Sequence, residues 1–454
     1  MLFHLLYILI SGIGFYLSNY FPLSITFVIG GVYYTYVFTQ YKRENKWLLP
    51  PVLFSISMFF YIYIGALLIT TGIISYSRFS HDIFGFQNIN KALFLTLFAN
   101  STMWAAFIFI MRLKIRGIHS YSKKTSNIPI LRGKRSLITV FISVSLYVYG
   151  ISKGYIGFSM NEENAGSFTN LIAILNNANY IILIIYFLSN FDQLSKRSVA
   201  IPFYSLLLTL ILLGILSGSK FNIVLPLIYI ALTYYYREKK LLNRTTLTMI
   251  IFFLLTFIII TPIRLILYAK KNGVNVDREL VMNVINGPSQ NILVSEAVSN
   301  ALYRITYVPQ LILAIDYSGK TPPSVDNLWT YTFLSPINAF LPRVVNPNKP
   351  QITFGRWFSY HVYGSTADNN IGATYQGILF MNGHLFSVFW GFIFIGVLHA
   401  LMVKAFLNKK FLSIYLLFLL KLTLLPQEPW VLYTSIIQTL IIILIIFNVI
   451  TRRQ

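Results

Sequence analysis

The 454-residue sequence predicts an all-α polytopic membrane protein with about 12 transmembrane helices. Its composition points to this class, because hydrophobic residues make up 56% of the chain and charged residues only 11%. A soluble domain carries about 25% charged residues. The apolar residues also form repeated runs long enough to cross a hydrocarbon core of about 30 Å. Because the chain has no cysteine, disulfides, thiolate metal sites and cysteine nucleophiles are excluded.

The apolar runs divide the chain into three regions: nine spans in 1–268, a polar loop in 269–372 and three spans in 373–454. The first run has no basic segment and no small-residue cleavage site, so we interpret it as a span rather than a signal peptide. Very short links, such as 18–21 and 217–220, require antiparallel neighbours. The absence of a convincing internal repeat argues against transporters built from repeats. In chain order we place the helices at 3–17, 21–38, 51–71, 92–111, 136–151, 169–189, 200–216, 221–236, 246–268, 374–403, 411–426 and 430–450.

Lysine and arginine collect on alternate links between these predicted spans. The links of one side hold 22 of the 36 Lys and Arg residues but only three of the 13 acids. Since basic residues favour cytoplasmic loops, we predict that both termini are cytoplasmic and that the long loop is extracytoplasmic. The net charge of +23 is thus explained by membrane topology, and the basic residues would also contact anionic lipid. We therefore do not expect nucleic-acid binding. The basic links are 39–50, 112–135, 190–199, 237–245, 403–410 and the tail from Thr451.

The extracytoplasmic loop is too long and too patterned for a simple connector. Loops above about 12–15 residues are usually functional or disordered. This loop contains apolar residues at three- and four-residue steps, so we interpret it as a folded cap over an active site. The alternative is a structural cap without chemistry. Its predicted parts are an apolar piece at 281–285, an amphipathic helix at 293–308, a broken helix at 328–341 and a Gly- and Pro-rich loop at 346–372.

Three basic side chains fall within or at the ends of spans on the extracytoplasmic side: Lys220, Arg264 and Lys421. Ionisable groups at membrane depth are costly and usually face a cavity. Arg264 follows Pro262, which frees backbone groups and shapes a pocket. Fixed cations at this level suit a lipid-linked phosphate or diphosphate. Alternatively, Lys421 snorkels to the surface and Lys220 is a solvated turn residue.

Further candidates lie in the long loop and just after it. A histidine or carboxylate there would act as a general base toward a sugar hydroxyl, although a lone histidine is more often structural. We find no metal constellation and no cofactor motif. A Walker-type phosphate loop and a Gly-x-Ser-x-Gly elbow are also absent from the sequence, which disfavours an ATP-driven pump and a serine hydrolase. The candidate bases are His361, Asp368 and His384, and the candidate binding residues are Arg304, Arg343, Lys349 and Arg356.

Three features resemble the Wzy-type polymerases of O-antigen and capsular polysaccharide. The turn Leu216–Lys220 looks like the Gly-Ser-Arg turn of that family, with lysine in place of arginine. The stretch from Pro336 through Leu341-Pro342-Arg343 to Asn348-Lys349-Pro350 is similar to the family's Pro-Arg…Pro-Asp-Lys-Pro phrase. The stretch 372–391 resembles the start of the following span, with Gln376 where an acid is often found.

The resemblance implies a metal-independent glycosyltransferase of the GT-C kind in the bacterial cytoplasmic membrane, with no cofactor. It would move a growing glycan from undecaprenyl diphosphate to the terminal sugar of an incoming lipid-linked repeat unit, with a chain-length regulator as a further partner. Arg264, Arg304 and Arg343, with Lys220, would bind the donor diphosphate and stabilise its departing charge. His361 or Asp368 would activate the acceptor hydroxyl. Arg356 would position sugars, together with aromatic side chains of the loop such as Trp357 and Tyr360.

Three alternatives stay open at this point. An O-antigen ligase shares the architecture and the donor but hands the glycan to a lipid core. A flippase for lipid-linked oligosaccharide belongs to a different class, and it would carry ionisable residues at mid-bilayer and need no long outer loop. A purely structural assembly protein is the third.

Overall fold

The computed structural model is mostly helical, with helices at eleven of the twelve predicted positions. The predicted ninth span, 246–268, lies outside the described residues. The structure describes residues 1–43, 46–73, 85–113, 129–153, 167–217, 220–238, 306–318, 333, 354–362, 372–407, 410–423 and 429–452. The described helices are α1 Leu2–Tyr16, α2 Leu23–Arg43, α3 Pro50–Thr70 (π-helical over Phe59–Ile64), α4 Phe86–Arg112, α5 Gly133–Ser152, α6 Ser167–Asn190, α7 Arg197–Leu216, α8 Lys220–Glu238, α9 Val308–Asp316, α10 Phe354–Trp357 with a π turn Phe358–Val362, α11 Tyr375–Phe406, α12 Leu412–Lys421 and α13 Pro429–Ile450.

Five of these helices, α3, α4, α5, α7 and α11, are long and apolar enough to cross a membrane. The protein therefore has the character of an all-α membrane protein. The described strands are two residues each: β1, Ile130–Leu131, pairs antiparallel with β2, Thr451–Arg452. The chain forms two compact units. Unit 1 comprises residues 1–122, 301–407 and 418–438, and unit 2 comprises 123–300, 408–417 and 439–454.

In unit 1, α4 is the central helix and packs against α1, α2, α3, α9 and α11. Close approach depends on glycine at two of these contacts. A Cβ on Gly14 of α1 would lie 2.4 Å from the Phe94 ring, and a Cβ on Gly396 of α11 would lie 2.4 Å from the Met103 carbonyl oxygen. Small residues let helix backbones approach closely in membranes, where apolar burial from water does not drive helix association.

The two ends of α4 are each held by a side-chain contact. At its start, Asn90 Nδ2 donates to the carbonyl oxygens of Ser18 (3.2 Å) and Phe21 (2.7 Å), which belong to the α1–α2 turn. At its end, Lys404 Nζ of α11 donates to the carbonyl oxygens of Ile110 and Leu113, each at 2.6 Å. Carbonyls of a last helical turn lack partners within the helix, and a cation there also complements the helix dipole.

In unit 2, α5 to α8 pack as successive neighbours. The α7–α8 contact is closest at Gly214, where a Cβ would lie 2.7 Å from the backbone nitrogen of Ile223. The Arg132 N–H donates to the Ile450 carbonyl at 2.7 Å, which joins the start of α5 to the end of α13. Arg237 at the end of α8 bonds Asp192, which follows α6.

These contacts agree with the charge alternation read from the sequence. Within unit 1, Lys404 joins two basic links that the alternation assigns to the same side, 112–135 and 403–410. Within unit 2, the strand pair joins 112–135 to the C-terminal tail, and Arg237 joins 190–199 to 237–245. The assignment of those ends to the cytoplasm stays a prediction.

Candidate functional site

The predicted site residues divide into three groups by what the structure describes of them. His361, His384 and Lys421 are described with their side chains. Lys220 and Arg356 are described only as helical backbone, at the first position of α8 and within α10. Arg264, Arg304, Arg343, Lys349 and Asp368 lie outside the described residues.

His361 lies on the surface in the π turn after α10. Its ring centroid is 5.7 Å from that of Trp357 and 5.0 Å from that of the exposed Tyr360. Phe358 and Val362 point the other way and are buried, so they anchor the turn. The turn therefore presents an exposed imidazole flanked by two aromatic rings. This grouping fits the predicted neighbourhood of base and sugar-binding aromatics, and the roles themselves stay predictions.

His384 lies at a break inside α11, where the sequence Asn382-Gly383 predicts one. The helix is interrupted at Gly383 and at His384, which has a left-handed φ of 51°. Asn382, just before the break, donates through Nδ2 to the Ile378 carbonyl of its own helix at 2.8 Å. The exposed His384 ring packs edge-on against the Phe380 ring, with 5.2 Å between the ring centroids. The break therefore presents an imidazole on the surface of the helix.

Replacing His384 with glycine tests whether the positive φ of His384 strains the backbone. A left-handed φ costs a residue with a Cβ roughly 1–2 kcal/mol, and glycine adopts it freely. We expect His384→Gly to raise the free energy of unfolding in detergent by about 1 kcal/mol. The control is Leu385→Gly one residue later, which should lower it by at least about 1 kcal/mol because that position is helical and its side chain is partly buried. Equal losses in both variants would contradict the left-handed backbone.

Lys421 lies at the end of its helix, whereas the sequence predicts it inside the helix. The sequence predicts a helix over 411–426 with this lysine inside it, but α12 ends at Lys421. The Leu422 N–H bonds the Phe418 carbonyl at 3.0 Å, and Thr423 bonds the Leu420 carbonyl through its N–H at 3.2 Å and its hydroxyl at 2.8 Å. These contacts close the helix, and a cation is favourable at its C-terminal end. The ammonium lies 5.7 Å from the centroid of the Phe418 ring.

Sequence reasoning missed a cluster of polar side chains in unit 2, which we call the asparagine cluster: Ser143, Tyr147, Asn176, Asn179, Tyr180 and Asn222. The signal was present in the sequence, because Asn176-Asn177-Ala178-Asn179 interrupts an otherwise apolar span. An ionisable residue within a membrane span is by default a candidate for a functional site, and this rule does not cover neutral polar residues. A search for ionisable residues in the spans does not single out these carboxamides, because they carry no charge.

The asparagine cluster joins three helices. Asn179 of α6 donates through Nδ2 to the Ser143 hydroxyl of α5 at 2.9 Å, and Asn222 of α8 lies 3.4 Å from the Tyr147 hydroxyl. Tyr147 also lies beside Ser217, the first residue of the turn between α7 and α8. The Asn179 side chain is fully buried, yet its Oδ1 has no hydrogen-bond partner among the described residues. A buried acceptor without a partner costs about 1–3 kcal/mol of stability, so a structure that contains one calls for a physical or functional explanation.

Gln376 of unit 1 is the residue that stands where the resemblance expects an acid. It is fully buried near the start of α11, and its Nε2 lies 3.4 Å from the Thr96 hydroxyl of α4. A carboxylate at this buried place would carry a heavy desolvation cost, which a neutral carboxamide avoids. The neutral carboxamide of Gln376 therefore suits the packing of α4 against α11.

Among the described residues no group of three His, Asp or Glu side chains gathers as metal ligands would. Comparison with protein families, with characterised proteins and with solved structures finds no match to this chain. The function is therefore argued from the residues themselves.

Proposed function

We propose that this protein is a membrane glycosyltransferase that polymerises lipid-linked oligosaccharide. It would transfer a growing glycan from a polyprenyl diphosphate to the terminal sugar of an incoming lipid-linked repeat unit. The all-α fold class and the membrane character fit this activity, and the long polar loop is where the sequence predicts the sugar site. The O-antigen or capsular nature of the product follows from the resemblance alone.

The observation that carries the proposal is the place of the asparagine cluster. It lies next to the link between Ser217 and Lys220, which is one of the three features that carry the resemblance. Carboxamides and hydroxyls both donate and accept hydrogen bonds, as sugar hydroxyls do. Helix α8 begins at Lys220, and a helix N-terminus with a lysine favours a phosphate group. The N-terminal end of α8 thus combines groups suited to a phosphate with groups suited to a sugar.

The roles proposed for the other candidate site residues are based on the sequence. Arg264, Arg304 and Arg343 would bind the donor diphosphate and stabilise the charge that develops as it leaves. His361 or His384 would accept the proton of the acceptor hydroxyl, and both imidazoles are exposed in the structure. Asp368 is the third candidate for that base.

The test is an assay of the purified protein with one defined lipid-linked repeat unit, without nucleotide sugar and without added metal. A ladder of longer lipid-linked products is the expected result. Removing one arginine that stabilises the leaving diphosphate should slow elongation about 100-fold, as loss of one transition-state donor does. Arg264→Ala and Arg343→Ala should therefore show this loss, whereas the exposed Arg112→Ala at the other predicted side should not. Absence of any ladder from the wild-type protein would overturn the proposal.

Two other outcomes point to other functions. If a deletion strain keeps its glycan chain-length ladder and loses only attachment to a lipid core, the protein is a ligase. The break in α11 at Gly383 and His384 favours a transporter as a second candidate, because transporters build substrate sites from interrupted helices. Movement of the lipid-linked unit across proteoliposome membranes, with no longer product, would identify that function.

A further inference from the structure

Two helices of unit 2 begin with the same basic tripeptide. Lys-Arg-Ser occupies 134–136 at the start of α5 and 196–198 at the start of α7. All four basic side chains are exposed, and neither helix has an acidic residue in its first turn. Basic residues at a helix N-terminus are unfavourable to the helix dipole, so the repeat is not explained by helix stability.

Both tripeptides lie at the same end of α6. Ser189 in the last turn of α6 lies 3.5 Å, hydroxyl to carbonyl oxygen, from Pro129, which precedes the start of α5. The Tyr186 hydroxyl of the same helix donates to the Val199 carbonyl in the first turn of α7 at 3.1 Å. The end of α6 therefore contacts the segments that lead into both basic turns.

No described acid at this end is free to neutralise the four cations. Asp192 and Glu238 are the acids of unit 2 that the structure describes, and both pair with Arg237. Arg132, which precedes α5, adds a further positive charge. Among the described residues of this end, the basic turns thus form a positive surface without an acidic partner.

Each basic turn continues into an exposed apolar stripe along its own helix. On α5, Lys134 shares a face with Leu137, Ile138 and Phe141, and the Phe141 side chain is 70% exposed. On α7, Arg197 shares a face with a similar set, in which all members are more than half exposed: Ile201, Tyr204 and Leu208. At 1.5 Å per residue, each stripe runs about 10–16 Å, which is about the depth of one leaflet.

We propose that these two turns bind the headgroups of anionic phospholipids, whose acyl chains lie along the exposed stripes of α5 and α7. The positive turn matches the phosphate charge, and the apolar stripe matches the chains, so one molecule satisfies both parts of each surface. Arginine and lysine near a membrane surface are attracted to anionic lipid headgroups. This inference is independent of the glycosyltransferase proposal.

The experiment uses the full-length protein in a neutral detergent, titrated with phosphatidylglycerol or with phosphatidylcholine, and counts retained lipids by native mass spectrometry. We expect tight retention of phosphatidylglycerol and little of phosphatidylcholine. The variants Lys134→Gln/Arg135→Gln and Lys196→Gln/Arg197→Gln should each weaken phosphatidylglycerol retention roughly tenfold, and raising the salt should weaken it in the wild-type protein.

The matched control is Lys153→Gln, which removes an exposed lysine just after the other end of α5 and should change nothing. Each double variant leaves most basic links intact, and a monodisperse elution profile with an unchanged melting temperature establishes that it is folded. Wild-type retention in both double variants, equal retention of the two lipids, or an equal loss in Lys153→Gln would overturn the proposal. If both double variants fail to fold, equal retention of the two lipids by the wild-type protein still decides against it.

Discussion

Replacing Gly396 with valine is expected to cause a large loss of stability in unit 1. A Cβ at this position would lie 2.4 Å from the Met103 carbonyl oxygen and 2.9 Å from the Ala106 Cβ, both on the central helix α4. The carbonyl belongs to the helix backbone and cannot rotate away as a side chain would. The two helices must therefore separate, and that contact is the most extensive one in unit 1.

We expect Gly396→Val to lower the free energy of unfolding by about 3 kcal/mol and Gly396→Ala by about 2 kcal/mol. The measurement is the melting temperature of the detergent-purified protein, followed by the loss of its monodisperse elution peak. The matched control is Gly31→Ala in α2, where an added Cβ meets nothing within 4 Å. Alanine there should leave stability unchanged or raise it by up to about 1 kcal/mol through helix propensity. A tolerated valine at Gly396 would mean that α4 and α11 do not approach as described.

Replacing Asn179 with leucine should separate a structural role of the asparagine cluster from a functional one. Asn179 is buried in an apolar span, and its carboxamide oxygen has no partner among the described residues. Leucine removes that unsatisfied acceptor together with the hydrogen bond to Ser143. Stability should therefore change by less than about 1 kcal/mol, because a lost bond and a relieved desolvation cost oppose each other.

Activity should respond quite differently. If the free oxygen of Asn179 receives a hydroxyl of the substrate, Asn179→Leu should slow elongation of the lipid-linked glycan by about 10–100-fold. The matched control is Asn190→Leu in the last turn of the same helix, where the carboxamide nitrogen donates to the Tyr186 carbonyl. That variant should elongate at the wild-type rate. A large fall in melting temperature with unchanged elongation in Asn179→Leu would assign the cluster to packing.

Much of the local architecture was readable from the sequence. Apolar runs gave the positions of eleven described helices, since a chain in lipid must satisfy its backbone groups within each helix. Asn382 next to Gly383 predicted the break in α11. The end of α12 was predicted wrongly, because apolar residues continue beyond Lys421 and the hydrogen bonds of Thr423 close the helix earlier.

The sequence by itself determined the class and the positions of the described helices, because these depend on local composition along the chain. It also predicted, from charge, that the basic links share one side. Only the tertiary structure showed that Asn179 meets Ser143, that Asn222 meets Tyr147 and that Lys404 caps the end of α4. The physical reason lies in the apolar character of these helices on nearly every side. An amphipathic stripe shows which face of a helix is buried, and a helix that is apolar all round has none. Its contacts are set by packing between residues far apart in the chain, which local patterns do not specify.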